Sequence, residues 1–244
     1  MQTQTLGNNT VGLGGSLGIN VIRGDRRPPT AMRLRDRLRK FAVPNTGNRE
    51  VDAYRLRNLP NVLRGLSSIA IARAAKAPTF TGVVQQRVFR GCEYDDTGRI
   101  INAREIVDLG IVSCRVVTTV GCGAIVDAFQ NLVELEIFIY HGYGTGSNAE
   151  ASSDTTLHTE LTTQYLTNNT RPTGSATEAS ATVFRSVGTL SPDANCTITE
   201  HGLFSQASNA GGILFDRSLF TGIALVGSSD SLQTTYDGTF TAGG

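Results

Sequence analysis

The chain has 244 residues, with 39% hydrophobic and 18% charged side chains, 27 glycines and no tryptophan. That composition excludes a disordered or collagen-like chain, and its many Gly, Thr, Ser and Asn residues favour short strands joined by turns over a helical bundle. The net charge of +1 hides a division: residues 1–22 carry no charged side chain, residues 23–90 hold 16 Lys+Arg against 4 Asp+Glu (+12), and residues 91–244 hold 6 against 17 (−11).

Residues 1–22 contain five glycines and no periodic apolar face, which predicts an extended arm. In 23–90, 14 of the 16 cations are Arg. Arginine makes forked, fixed hydrogen bonds and is less strongly hydrated than lysine, so the bias points to ordered protein contacts rather than a loose coat on nucleic acid. After Pro28 and Pro29, Thr30 is a candidate N-cap, and Ala31, Leu34, Leu38 and Phe41 recur at helical spacing. This predicts a short amphipathic helix over 31–41 with an Arg-rich opposite face, ended by Pro44 and Gly47. A second helix is expected from about Asn61 to Lys76, with Val62, Leu66, Ile69 and Arg73 on one face. The candidate partner-binding residues of this arm are Arg26, Arg27, Arg33, Leu34, Arg35, Arg37, Leu38, Arg39, Phe41, Arg55 and Arg57.

Beyond Pro78 the pattern turns to strands. RVFRGCEYDDTGRIINAREIVDLG reads as a hairpin around a turn at Asp96–Gly98, and the runs at 112–120 and 132–140 read as β-rich. Within the Ser/Thr-rich stretch 147–182, Asp154 is a candidate cap for a short helix carrying Leu157, Leu161 and Tyr165. TVFRSVGTL, TITEHGLFS, GILFDRSLF, GIALVG and DSLQTTYDGTF then follow as strands at intervals of about ten residues, the rhythm of an antiparallel sandwich or jelly-roll-like barrel. Leu203, Phe204, Leu214, Phe215, Phe220, Leu232, Tyr236 and Phe240 are the expected core of this part. The expected organisation is a basic arm over 1–90 with two short helices, and an acidic β-sandwich head over 91–244.

Few residues invite chemistry. Cys92, Cys114, Cys122 and Cys196 show no C-x-x-C and no zinc-like pairing with the histidines, so they read as small buried hydrophobes in a reducing compartment. HGYGTGSN (141–148) spaces its glycines as G-x-G-x-G, not as a dinucleotide or Walker loop, and reads as a turn leaving a strand. Glu200 and His201 are neighbours on an expected strand and so face opposite sides. Asp216 and Arg217 are expected in structural ion pairs or turn hydrogen bonds. No serine sits in G-x-S-x-G. The expectation is no enzyme, no cofactor and no metal. No apolar run approaches the ~20 residues of a membrane span, and the opening residues lack a signal-peptide pattern, so assembly in cytoplasm-like conditions is expected.

Four pieces, HGYGTGSNAEASSDTTLHTEL, ITEHGLFSQAS, GGILFDRSLF and DSLQTTYDGTFTAGG, together resemble a module of virion structural proteins of tailed bacteriophages, from near Leu132 to the C-terminus. The resemblance implies a β-sandwich in a virion protein: a capsid cement or decoration subunit, with a tail or head–tail connector component as the alternative. It implies the major capsid protein or other virion proteins as partners. Copies of the chain itself, with a trimer favoured, are expected from the charge division. Nucleic acid held by the Arg-rich arm is the alternative of another class.

Overall fold

The computed structural model describes residues 46–74 and 78–242. The expected helix at 31–41, and with it Arg26, Arg27, Arg33, Leu34, Arg35, Arg37, Leu38, Arg39 and Phe41, lies outside the described residues.

The chain enters through helix α1, Arg49–Ala74. Asn48 caps it, its Oδ1 accepting from the backbone N–H of Glu50 (3.0 Å) and Val51 (3.3 Å), and Glu50 and Asp52 place negative charge in the first turn, where the helix dipole favours it. The expected helix began near Asn61. The true start is twelve residues earlier, because the helix runs through Pro60 instead of beginning after it.

Strands β1 (Thr79–Tyr94) and β2 (Ile100–Val116) form a long antiparallel hairpin. Asp95 Oδ1 closes its turn by accepting from the N–H groups of Thr97 and Arg99, both at 2.9 Å, and Gly98 takes φ +78°. Then come α2 (Thr119–Ala128), a 3₁₀ turn at Leu135–Ile137, and strands β3 (Tyr140–Gly144), β4 (Ser175–Ser180), β5 (Val183–Leu190), β6 (Cys196–Phe204), β7 (Leu214–Leu225) and β8 (Ser231–Thr241). Two antiparallel sheets result, in the orders β2-β1-β8-β5-β4 and β3-β6-β7. The fold is mainly β and sandwich-like, as the alternation in the C-terminal third predicts. Val84, Val88, Leu190, Leu232 and Tyr236 of the larger sheet share one buried cluster with Tyr143, Ile198, Leu203, Phe220 and Ile223 of the smaller.

The boundary expected between residues 90 and 91 falls inside β1, which lies between β2 and β8. α1 also belongs to the head. Buried Asn58 donates to Val112 O on β2 (2.6 Å) and accepts from Thr221 N on β7 (2.8 Å), while Tyr54 Oη donates to Thr221 O (3.0 Å). The helix therefore links an outer strand of each sheet. At Gly65 it comes so close to β2 that any Cβ would overlap the Cys114 carbonyl.

Three local expectations are corrected. Residues 132–140 are not a strand: a turn and the 3₁₀ segment occupy them until β3 begins at Tyr140. No helix follows Asp154, whose carboxylate instead accepts from Ala151 N and pairs with Arg217. Leu157, Leu161 and Tyr165 are nevertheless buried: Leu157 packs with Phe204 and Leu214 in a small separate cluster, and Leu161 and Tyr165 join the main core. The two strands expected at GILFDRSLF and GIALVG are one continuous β7. Of the eight expected core residues seven are buried, and Phe240 is 47% exposed.

Candidate functional site

β6 has both faces covered, and each face carries one charged or titratable group. His201 points into the space between the sheets and Glu200 away from it, as strand alternation requires. His201 Nε2 lies 2.9 Å from His141 Nδ1 on β3, and His141 Nε2 lies 2.9 Å from Ser186 Oγ on β5. This chain of contacts crosses from one sheet to the other. His201 Nδ1 is buried with no hydrogen-bond partner among the described residues. A bare acceptor costs less than an orphaned N–H, which assigns the protons: His201 Nε2–H donates to His141, and His141 Nε2–H donates to Ser186.

A hydroxyl followed by an imidazole is also the order of an activated nucleophile. Here Ser186, His141 and His201 are all 0% exposed, and Tyr143 stands edge-on to the His201 ring at 5.3 Å. Burial pushes the His141 pKa down to about 3 and that of His201 well below its ordinary value, with the neighbouring His141 adding to the effect. Both rings are thus neutral and sealed, and the trio acts as a cross-link between sheets.

On the other face, Glu200 is gripped from all sides. Arg217 Nε (2.9 Å) and Nη2 (2.7 Å) donate to its Oε2, and the backbone N–H groups of Gly146 (3.1 Å), His158 (3.1 Å) and Thr159 (2.7 Å) complete the shell. Gly144 and Gly146 lie so close that a Cβ on either would strike the carboxylate. The glycine-rich loop therefore cradles an anion, but the anion is the chain's own glutamate. Arg217 also binds Asp154 Oδ2 (2.9 Å) and Asn148 O (3.1 Å), tying the irregular stretch 145–173 to β7. Further along that stretch, Arg171 forks onto Glu160 (2.6 and 2.9 Å) and stacks 3.4 Å above the Phe204 ring.

Among the described residues, Asp216 is the one buried carboxylate without a cation directly on it. It accepts from Ser218 Oγ (2.9 Å), while its Oδ2 and the nearby Tyr236 Oη have no partner among the described residues. Burial, with Glu150 adding and Ser218 and Arg115 opposing, raises its pKa to about 7.

The surface offers less chemistry. A polar cleft of about 160 Å³ lies between the β1–β2 turn and residues 165–173, and Arg171, the charged residue of its lining, is already held by Glu160. Among the described residues no group of three or more His, Cys, Asp or Glu is placed to hold a metal, and no helix is long and apolar enough to cross a membrane. Cys114 is buried, Cys92 and Cys196 are half-buried, and Cys122 is exposed on α2, so the expectation of four buried thiols holds only in part. Arg55 donates to Leu109 O and Asp108 O of its own β2, both at 3.0 Å, and Arg57 is exposed. What the sequence reading missed is a ledge at the end of α2, where Phe129 is 88% and Leu132 69% exposed. No family model, no curated protein and no solved structure matches the chain.

Proposed function

We propose that the chain is a non-catalytic structural subunit of a tailed-bacteriophage virion: a capsid cement or decoration protein that docks through the basic segment preceding residue 46 and stabilises the shell. One observation carries the reading. Residues from three of the four pieces that resemble the virion module meet in a single buried cluster, Gly146, His158 and Thr159 from the first, Glu200 from the second and Arg217 from the third. This convergence supports the reading of the pattern as a rigid scaffold. His141 and His201, side chains of the kind that carry acid–base chemistry at neutral pH, are enclosed, while the third histidine, His158, is exposed and gives its backbone N–H to Glu200. A subunit that binds only the assembled shell favours it by mass action, by ~4 kcal/mol at a thousandfold excess over Kd.

Antibody raised against the head and applied to purified particles tests this. Label over the whole shell is the expected result. Label at one vertex would favour the tail or connector reading, and particles free of the protein would overturn the virion assignment.

A further inference from the structure

The segment from Val116 to Thr170 contains no Lys or Arg. Of its six acidic residues, Glu150, Asp154 and Glu160 are paired with Arg115, Arg217 and Arg171. The three without an ion pair among the described residues, Asp127, Glu134 and Glu136, all lie at the end of α2 and on the 3₁₀ turn. There they border the most exposed apolar side chains of that region: Val126 (58%), Phe129 (88%), Leu132 (69%) and Leu135 (38%). Exposed apolar surface beside polar groups marks an interaction site, and the charges that this stretch of chain itself places beside it are all negative.

Residues 31–41, AMRLRDRLRKF, have the opposite character. They hold five cations against one anion, and Ala31, Leu34, Leu38 and Phe41 fall on one stripe at helical spacing. We propose that residues 31–41 of one copy dock on the α2 ledge of a second copy, with Leu34, Leu38 and Phe41 covering Phe129 and Leu132 and the arginines facing Asp127, Glu134 and Glu136. The proposal deepens the docking role assigned to this segment above.

Reach favours a second copy over the chain's own ledge. α1 meets Cys114 at Gly65, near the end of β2 from which α2 departs, and Asn48 lies 17 residues back along the helix, ~25 Å at 1.5 Å per residue. The connector from Phe41 to Asn48 spans at most ~25 Å when fully extended. Reaching even the start of α2 within one chain takes nearly the full length of that connector, and docking between chains does not. Such an exchange closes either as a reciprocal two-fold pair or, when each arm passes on to the next copy, as a ring such as a trimer.

Cys122 supplies the test. It is exposed, on the face shared with Val126 and Phe129, and residues 1–45 contain no cysteine. Chain carrying Leu34→Cys and Cys122→Ser is mixed with wild-type chain, treated with a short bis-maleimide and mapped by peptide mass spectrometry. A heterodimer joining residue 34 to Cys122 is the expected product. In parallel, Phe129→Asp/Leu132→Asp should reduce the sedimenting mass to that of a monomer at unchanged Tm. A link formed only within single Leu34→Cys chains would overturn the exchange between copies, as would a sedimenting mass unaffected by the double substitution. A ledge variant that is monomeric yet still decorates particles would leave both readings standing. An intact intermolecular link in a protein absent from particles would overturn the virion reading alone.

Discussion

Asn58 shows how much one side chain can hold. It satisfies the carbonyl of Val112 and the N–H of Thr221 at once, on strands of different sheets, at 1% exposure. Asn58→Ala leaves both backbone groups buried and unpaired, for an expected loss of ~2–4 kcal/mol, read as a lower urea midpoint. The titratable interior makes a second prediction. His141 and His201 have pKa values lowered on folding, so their contribution is present above the unfolded value near 6.5 and is lost as pH falls below it. Asp216, raised to about 7, works in the opposite sense and loses its contribution as pH rises toward 7. Between about pH 6 and 4 the unfolded chain takes up two extra protons at the histidines, while the folded chain holds one extra at Asp216. Stability should therefore fall by ~1.4 kcal/mol per pH unit in that window, and a urea midpoint that does not move between pH 6.5 and 5 would contradict neutral burial of the histidines. Asp216→Asn separates the two effects: it should raise Tm at pH 8 and change it little at pH 5.

At the level of elements, the strands of the C-terminal third were legible because their alternation is regular and turn residues separate them. β5, β6 and β8 fall within a residue or two of where the pattern places them. The opposite-facing pair Glu200 and His201 was legible for the same reason. α2 was not, since TVGCGAIVDA has two glycines and β-branched residues that weaken any helical reading. It forms because Thr118 caps it, accepting from Gly121 N (3.0 Å) while donating to Leu214 O (2.7 Å), a partner 96 residues away that no local window includes. The early start of α1 was hidden by Pro60, whose cost is offset by contacts with β2 and β7. The tight seat of that helix is itself testable. Gly65→Ala should push α1 off β2 and lower stability by ~2 kcal/mol or more, an overpacking effect visible as a reduced Tm with the fold retained.

The charge division along the chain was visible in the sequence at once, but the unit it marks was not. The basic stretch from 23 to 90 includes all of α1 and most of β1, which carry cations yet pack inside the head. Arg55 illustrates the point, being occupied with Leu109 and Asp108 of its own chain. Removing residues 1–45 should therefore leave a cooperatively folded head with near-unchanged Tm that no longer attaches to particles. Removing residues 1–90 should leave no folded protein, because α1 and all but the last residues of a strand between β2 and β8 go with it. Circular dichroism melts of the two truncations check this, and a folded 91–244 fragment would refute the architecture described.

The position of β8 also bears on biosynthesis. Ser231–Thr241 lies between β1 and β5, pairing Thr79 with Thr241 at one end of β1 and Leu190 with Leu232 along β5. Everything made before it can collapse only into a hairpin and a separate set of strands, with the seam between them open. A ribosome that stalls or a protease that clips ahead of Ser231 therefore yields a polypeptide bearing the whole basic segment but no closed sheet. Such a product exposes the unpaired edges of β1 and β5, which are templates for aggregation and signals for clearance. Synthesis of β8 is thereby a checkpoint on which copies are released in a form fit to join others.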